Sequence, residues 1–119
     1  MSRPKTIFCD IDGTLVEHMK PSVAASSHGK MTVLKGTVEK LNEWDLKGYN
    51  IILVTGRKES MRRQTVEQLS GVGIMYDQLI MGLGGGPRVL INDLKKDSNS
   101  PTAYAVCVAR NEGIEEIDV

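Results

Sequence analysis

Along the chain, apolar residues gather in short blocks separated by polar stretches rich in Gly, Ser and Pro. The first block, TIFCDI (Thr6 to Ile11), is apolar at almost every position except Asp10. That is the pattern of a parallel strand covered on both faces. In VLKGTVEKLNEWDLKG, Leu34, Val38, Leu41 and Trp44 recur at helical spacing, and Gly48 is a fitting stop. Tyr49 to Thr55 reads as a second buried strand. Glu59 to Ser70 carries Met61, Val66 and Leu69 and predicts an amphipathic helix closed by Gly71. Gln78 to Met81 predicts a third strand, Arg88 to Asn92 a fourth, and Tyr104 to Val108 a fifth strand or a helix. Residues 13–30, with Pro21, Gly29 and a Ser/Ala stretch, read as a loop or flap. Strands and helices alternate with short connections, which predicts an α/β protein with an open, mostly parallel sheet. No repeat or composition shift divides the chain, so residues 1–119 are expected to form one domain.

Composition narrows the function classes. Fifteen basic and fifteen acidic residues balance, so nothing in the net charge draws the chain to nucleic acid or to an anionic membrane. The longest apolar runs are far too short to cross a bilayer. The N-terminal apolar run is interrupted by Asp10 and Asp12, which excludes a signal peptide. Cys9 and Cys107 both sit in apolar settings and read as reduced core thiols, as suits a cytoplasmic protein.

In open α/β sheets ligands bind beyond the carboxyl ends of the strands. There the first strand places Asp10 and Asp12, the second Thr55, Gly56 and Arg57, and the fourth Asp93, with Asp97 four residues on. Two like charges two positions apart at a strand end are costly unless a cation or a proton compensates. An oxygen-rich set without Cys or a suitable His selects Mg²⁺ or Ca²⁺ over zinc, and a sparse set with room for waters and a phosphate oxygen favours Mg²⁺. Thr55 offers a hydroxyl and Gly56 a backbone N–H that can approach a phosphate closely. Arg88 or Lys58 can neutralise further phosphate oxygens. A carboxylate is a plausible nucleophile toward phosphorus, and a second one can act as general acid and base. The glycine-rich GLGGGP (Gly82 to Pro87) is no dinucleotide fingerprint, because such a loop opens a helix and Pro87 is followed here by strand-like residues. His18 and His28 read as solvated loop residues, Trp44 as helix packing, and Arg62 and Arg63 as a solvated helix face.

The segments FCDIDGTL, ILVTGR and VLINDLKKD, in this order, resemble motifs I, II and IV of the haloacid dehalogenase (HAD) superfamily. The resemblance runs from Thr6 to about Asp97. It implies a Rossmann-like three-layer sheet flanked by helices and a Mg²⁺-dependent phosphomonoesterase. Asp10 would be the nucleophile and Asp12 the general acid/base. Mg²⁺ would be held by Asp10, Asp12 through its backbone carbonyl, and Asp93, with Asp97 as a further acidic member. Thr55 would hold the transferred phosphoryl group. The superfamily's third motif is usually Lys; here Arg88 stands at a plausible position, with Lys58 the rival. Neither interval between motifs can hold a folded cap, so the chain resembles the capless class. Expected partners are a small phosphorylated metabolite, such as a sugar or sugar-acid phosphate, and further copies of the chain in a homo-oligomer such as a tetramer. Nucleic acid and membrane are not expected. Two rival readings are a non-catalytic phosphate-binding or interaction protein on the same scaffold and a receiver-type phosphoacceptor domain. The latter lacks Asp-x-Asp-Gly-Thr.

Overall fold

The structure is a computed structural model that describes residues 3–20 and 30–119. Strand β1 (Thr6–Asp10) leads through a tight turn to helix α1 (Thr37–Leu46), strand β2 (Asn50–Val54), a 3-10 turn (Glu59–Met61), helix α2 (Arg62–Gly71) and strand β3 (Gln78–Ile80). The three strands form one parallel sheet in the order β1-β2-β3. The register sets Cys9 beside Leu53, Asp10 beside Val54, and Val54 beside Ile80.

Alternation along the strands sends Ile7, Cys9, Ile51, Leu53 and Leu79 to one face. These residues join Leu41 and Trp44 of α1 and Leu69 of α2 in a single core, which Ile114 near the C-terminus completes. Helix α1 begins after Gly36, whose φ of 82° admits the left-handed turn. The anticipated Val38, Leu41 and Trp44 stripe is its inward face, with Leu41 and Trp44 buried. In α2 the stripe is displaced: Val66 is exposed, and Thr65 is buried in its neighbourhood instead. The reason is polar, since the Thr65 hydroxyl is recruited by an arginine of the rim.

The parallel α/β architecture flanked by helices follows the sequence pattern, but three expectations need correction. Arg88–Asn92 forms no strand, and Tyr104–Val108 forms neither strand nor helix. Arg88 stands near Asp10, at the carboxyl end of β1, closely enough for its charge to act on that carboxylate. Every residue from Gly82 to Thr102 is exposed, so the backbone groups of this segment are met by water rather than by a neighbouring strand. The sheet face opposite the core leaves Phe8 and Ile80 exposed, although Ile52 between them is buried. Cys107 is exposed rather than a core thiol, whereas Cys9 is buried as expected. Burial pushes the Cys9 thiol up to about 12, with the neighbouring Asp10 charge adding to the shift.

Of the predicted flap, residues 21–29, including His28, lie outside the described residues. Its base is ordered around Leu15: Glu17 N–H donates to Thr32 O at 2.8 Å and Leu34 N–H to Leu15 O at 3.0 Å. The buried Thr37 hydroxyl donates to the same Leu15 carbonyl at 2.8 Å.

Candidate active site

Two parallel strands end side by side here, and each carries its polar residues just past its last ladder bond. After β1 the chain turns sharply. The N–H groups of Thr14, Leu15 and Val16 all point at Ile11 O, at 3.2, 2.9 and 3.3 Å. Gly13 adopts φ 86°, a conformation that a side chain disfavours. This turn holds Asp10 and Asp12 at the same rim. The Thr14 hydroxyl donates to Asp10 Oδ2 at 3.2 Å.

The Asp10 carboxyl is held above its ordinary pKa. Partial withdrawal from water is the main cause, and the charge of Asp12 adds to it. The Ile11 N–H, the Thr14 hydroxyl and the charge of Arg88 act in the opposite sense. Asp10 is thus a carboxylate whose charge is not fully compensated within one chain, which is a reactive condition for a nucleophile.

Asp12 is engaged quite differently. Arg57 donates to both of its oxygens, Nε to Oδ2 and Nη2 to Oδ1, each at 2.8 Å. The third guanidinium nitrogen, Nη1, donates to Thr65 Oγ1 at 3.1 Å and Gln68 Oε1 at 2.7 Å. Arg57 is 8% exposed, so this fork is a largely buried, charge-assisted pair. It clamps the turn after β1 to helix α2. Arg57 was expected to bind phosphate, yet its guanidinium is directed to Asp12, Thr65 and Gln68. Thr65, Gln68 and Thr14 were not singled out in the sequence; only Thr14 carried a signal, as the hydroxyl following Asp-Gly.

Beyond β2, Thr55 is buried and its Oγ1 accepts the Arg57 N–H at 3.1 Å, leaving the hydroxyl proton free to be donated. The chain after β3 closes onto this turn, with Gly82 N–H on Arg57 O at 2.7 Å and Leu83 N–H on Thr55 O at 3.1 Å. Gly56 makes this approach possible, since a Cβ there would lie 2.4 Å from Gly84 O. Arg88 is folded back on the same loop, donating to Gly84 O at 3.0 Å and Gly86 O at 2.5 Å. It is the cation that acts on Asp10; Lys58 is exposed and makes no comparable contribution.

The remaining two acids do not join them. Asp93 is exposed, with its carbonyl and carboxylate both accepting from the Thr102 hydroxyl. Asp97 is exposed in a left-handed turn, φ 64°. Among the described residues no three His, Cys, Asp or Glu side chains gather as a cation site. Arg57 holds the Asp12 carboxylate but not the backbone carbonyl expected of that residue; with Asp93 elsewhere, the described residues of one chain still do not assemble the set expected for Mg²⁺.

A family model described as the LNS2 domain of PITM 1-3 matches residues 7–87. No curated protein matches the chain. Among solved structures, a chain of a Pnkp1/Rnl/Hen1 complex is 28% identical, with a TM-score of 0.58 over 81% of this chain. The match spans only 31% of that chain's length. A second structure, described as the Pnkp1/Rnl/Hen1 RNA repair complex, is also 28% identical, with a TM-score of 0.55 over 66% of this chain and 25% of its own. A target protein from Vibrio cholerae shares the fold at 20% identity, with a TM-score of 0.54 over 74% of this chain and 79% of its own. The expected HAD-like, capless architecture agrees with these matches. The second inter-motif interval holds only the 3-10 turn, α2 and β3. With the family match covering most of its length, the chain belongs to the family of the PITM 1-3 LNS2 domain.

Proposed function

We propose that this chain is a phosphomonoesterase that uses Asp10 as nucleophile. The observation that carries the reading is the setting of Asp10. An incompletely compensated carboxylate stands at the end of β1, next to the Thr55–Gly56 turn and within the field of Arg88. An Asp10 oxygen attacks phosphorus, the bond from phosphorus to the alcohol oxygen breaks, and the leaving oxygen takes a proton. Water then attacks the aspartyl phosphate, releasing inorganic phosphate and restoring the carboxylate. In this reading the Thr55 hydroxyl donates to a phosphoryl oxygen and Arg88 balances its charge. For Asp12 to supply the proton, one of its oxygens must first leave Arg57.

Oxygen donors make Mg²⁺ the expected cation, although the described residues of one chain do not assemble its ligands. The open rim suits a small phosphorylated metabolite such as a sugar or sugar-acid phosphate, in a cytoplasmic homo-oligomer. No described helix is long and apolar enough to cross a membrane. The likeness to a chain of an RNA repair complex favours a second substrate class, the phosphorylated end of a polynucleotide. The test is phosphate release from sugar phosphates, sugar-acid phosphates, nucleotides, an aryl phosphate and 3′- and 5′-phosphorylated oligonucleotides, with Mg²⁺ and with chelator. Turnover by the wild type and none by Asp10→Asn is the expected result. Binding of phosphorylated ligands without turnover would instead favour a non-catalytic protein on this scaffold.

A further inference from the structure

The turn after β1 is crossed by a distant part of the chain that the phosphatase reading does not use. Residues 109–112 form a turn of their own, with Glu112 N–H on Ala109 O at 3.1 Å. Asn111 fixes this turn to the rim: its N–H donates to Gly13 O and its side chain accepts the His18 N–H, both at 2.8 Å. While making both bonds Asn111 keeps φ at 64°, a left-handed backbone that is uncommon outside glycine. The neighbouring Arg110 is thereby held over the turn. Its stem lies across Gly13, where a Cβ would stand 3.3 Å from Arg110 Cγ, 3.9 Å from Arg110 Cδ and 3.8 Å from His18 Cβ. Gly13 is bare where Arg110 and His18 meet, three residues from Asp10.

The other cations near the rim have partners. Arg57 donates to Asp12, Thr65 and Gln68. Arg88 donates to Gly84 O and Gly86 O, and its charge acts on Asp10. Arg62 and Arg63 pair with Glu59 and Glu67. Arg110, by contrast, has no hydrogen-bond acceptor and no ion-pair partner among the described residues, and both it and His18 are exposed. A guanidinium whose stem is anchored and whose fork is open presents parallel N–H donors matched to a carboxylate or phosphate. The imidazole of His18 adds a further donor on the same side of Gly13. Arg88 already serves the group that reacts at Asp10, so a second guanidinium further along the turn has a different anion to meet.

We propose that Arg110, with His18 beside it, binds a second anionic group of the substrate, set apart from the phosphoryl group at Asp10. The substrate class narrows to phosphomonoesters that carry another acid. That acid is a carboxylate on a small metabolite or the neighbouring phosphodiester of a phosphorylated polynucleotide end. Arg110 is a specificity residue and takes no part in bond breaking. The inference rests on the phosphatase reading, which it deepens by naming what the substrate carries besides its phosphate.

Two matched pairs of substrates test it. An aldonic acid phosphate and the corresponding alditol phosphate differ only in the carboxylate. A 3′-phosphorylated dinucleotide and a nucleoside 3′-phosphate differ by one nucleoside and its phosphodiester. The ratio of kcat/KM within each pair is measured for the wild type, Arg110→Met and Arg110→Lys, with Arg110→Gln as a second neutral variant should Arg110→Met fail to fold. Met keeps the stem over Gly13 and removes the charge, and the ratio does not depend on the fraction of active protein. In one pair the wild type should favour the more acidic member. Arg110→Met should lower that ratio by about tenfold, through KM, with Arg110→Lys in between. The pair that responds identifies the source of the anion. A ratio unmoved in both pairs, or a wild type that favours neither acidic member, would overturn the proposal. If no member of either pair releases phosphate, the phosphatase reading fails instead. Calorimetric titration with the aldonic acid phosphate and the dinucleotide then decides: weaker binding by Arg110→Met than by the wild type upholds the anion site, and equal or absent binding overturns it.

Discussion

Arg57 grips Asp12 through two hydrogen bonds of 2.8 Å each, and so joins the turn after β1 to helix α2. The Arg57 side chain is 5% exposed and that of Asp12 17%, so water does little to weaken the pair. Removing one partner strands the other in a poorly hydrated setting. Arg57→Ala should therefore lower stability by about 3 kcal/mol, read as a shift of the urea midpoint. Arg57→Lys keeps the charge but loses the fork, and should fall between the two.

Thr65 is a milder version of the same argument. Thr65→Val keeps the shape and leaves Arg57 Nη1 with Gln68 as its acceptor. A loss of about 1 kcal/mol is expected by urea unfolding.

Gly56 is the position where space decides. Gly56→Ala would put a methyl group 2.4 Å from Gly84 O, so the loop carrying Arg88 must retreat. A destabilisation of about 1–3 kcal/mol is expected, together with weaker protection of Gly82 and Leu83 amides in hydrogen exchange. Unchanged protection would show that the loop does not rest on Gly56.

The two cysteines should separate cleanly. Cys9 is buried with its pKa raised to about 12, and thiolate is the reactive form. Cys107 is exposed. In the native protein a maleimide should label Cys107 rapidly, and Cys9 only at the rate of unfolding. Mass spectrometry of the labelled peptides reads both.

Asp10 gives a pH signature of definite sign. Its pKa is raised in the folded state, so the native chain binds more protons there than the unfolded chain does. Stability is then lost as pH rises from the ordinary carboxylate value through the folded one. Asp10→Asn removes that penalty while its amide oxygen still accepts from Thr14. The variant's urea midpoint should exceed the wild type's at pH 7, and the gap should shrink below the ordinary carboxylate pKa.

These particulars show what the sequence made legible. The β1 and β2 strands, Asp10, Asp12 and Thr55 could be read because short apolar runs and a local turn determine them. Arg57 was visible, but its partners were not: Asp12 lies on another strand, and Thr65 and Gln68 on a helix. The displacement of Val66 by Thr65 has the same origin, a polar demand from across the fold. Val89 to Ile91 has strand-like residues, yet a strand needs a neighbour, and the segment stands exposed outside the three-stranded sheet. Local pattern gives the tendency of a segment, and tertiary placement decides whether it is met.

The central claim, that Asp10 carries the phosphoryl group, is tested most directly by trapping it. The protein is mixed with acetyl phosphate and Mg²⁺, quenched in acid and digested, and the peptide spanning Asp10 is weighed. A hydroxylamine-sensitive phosphoryl group on Asp10, absent in Asp10→Asn, is the expected result. Phosphate release with an unmodified Asp10, or release that persists in Asp10→Asn, would contradict the account.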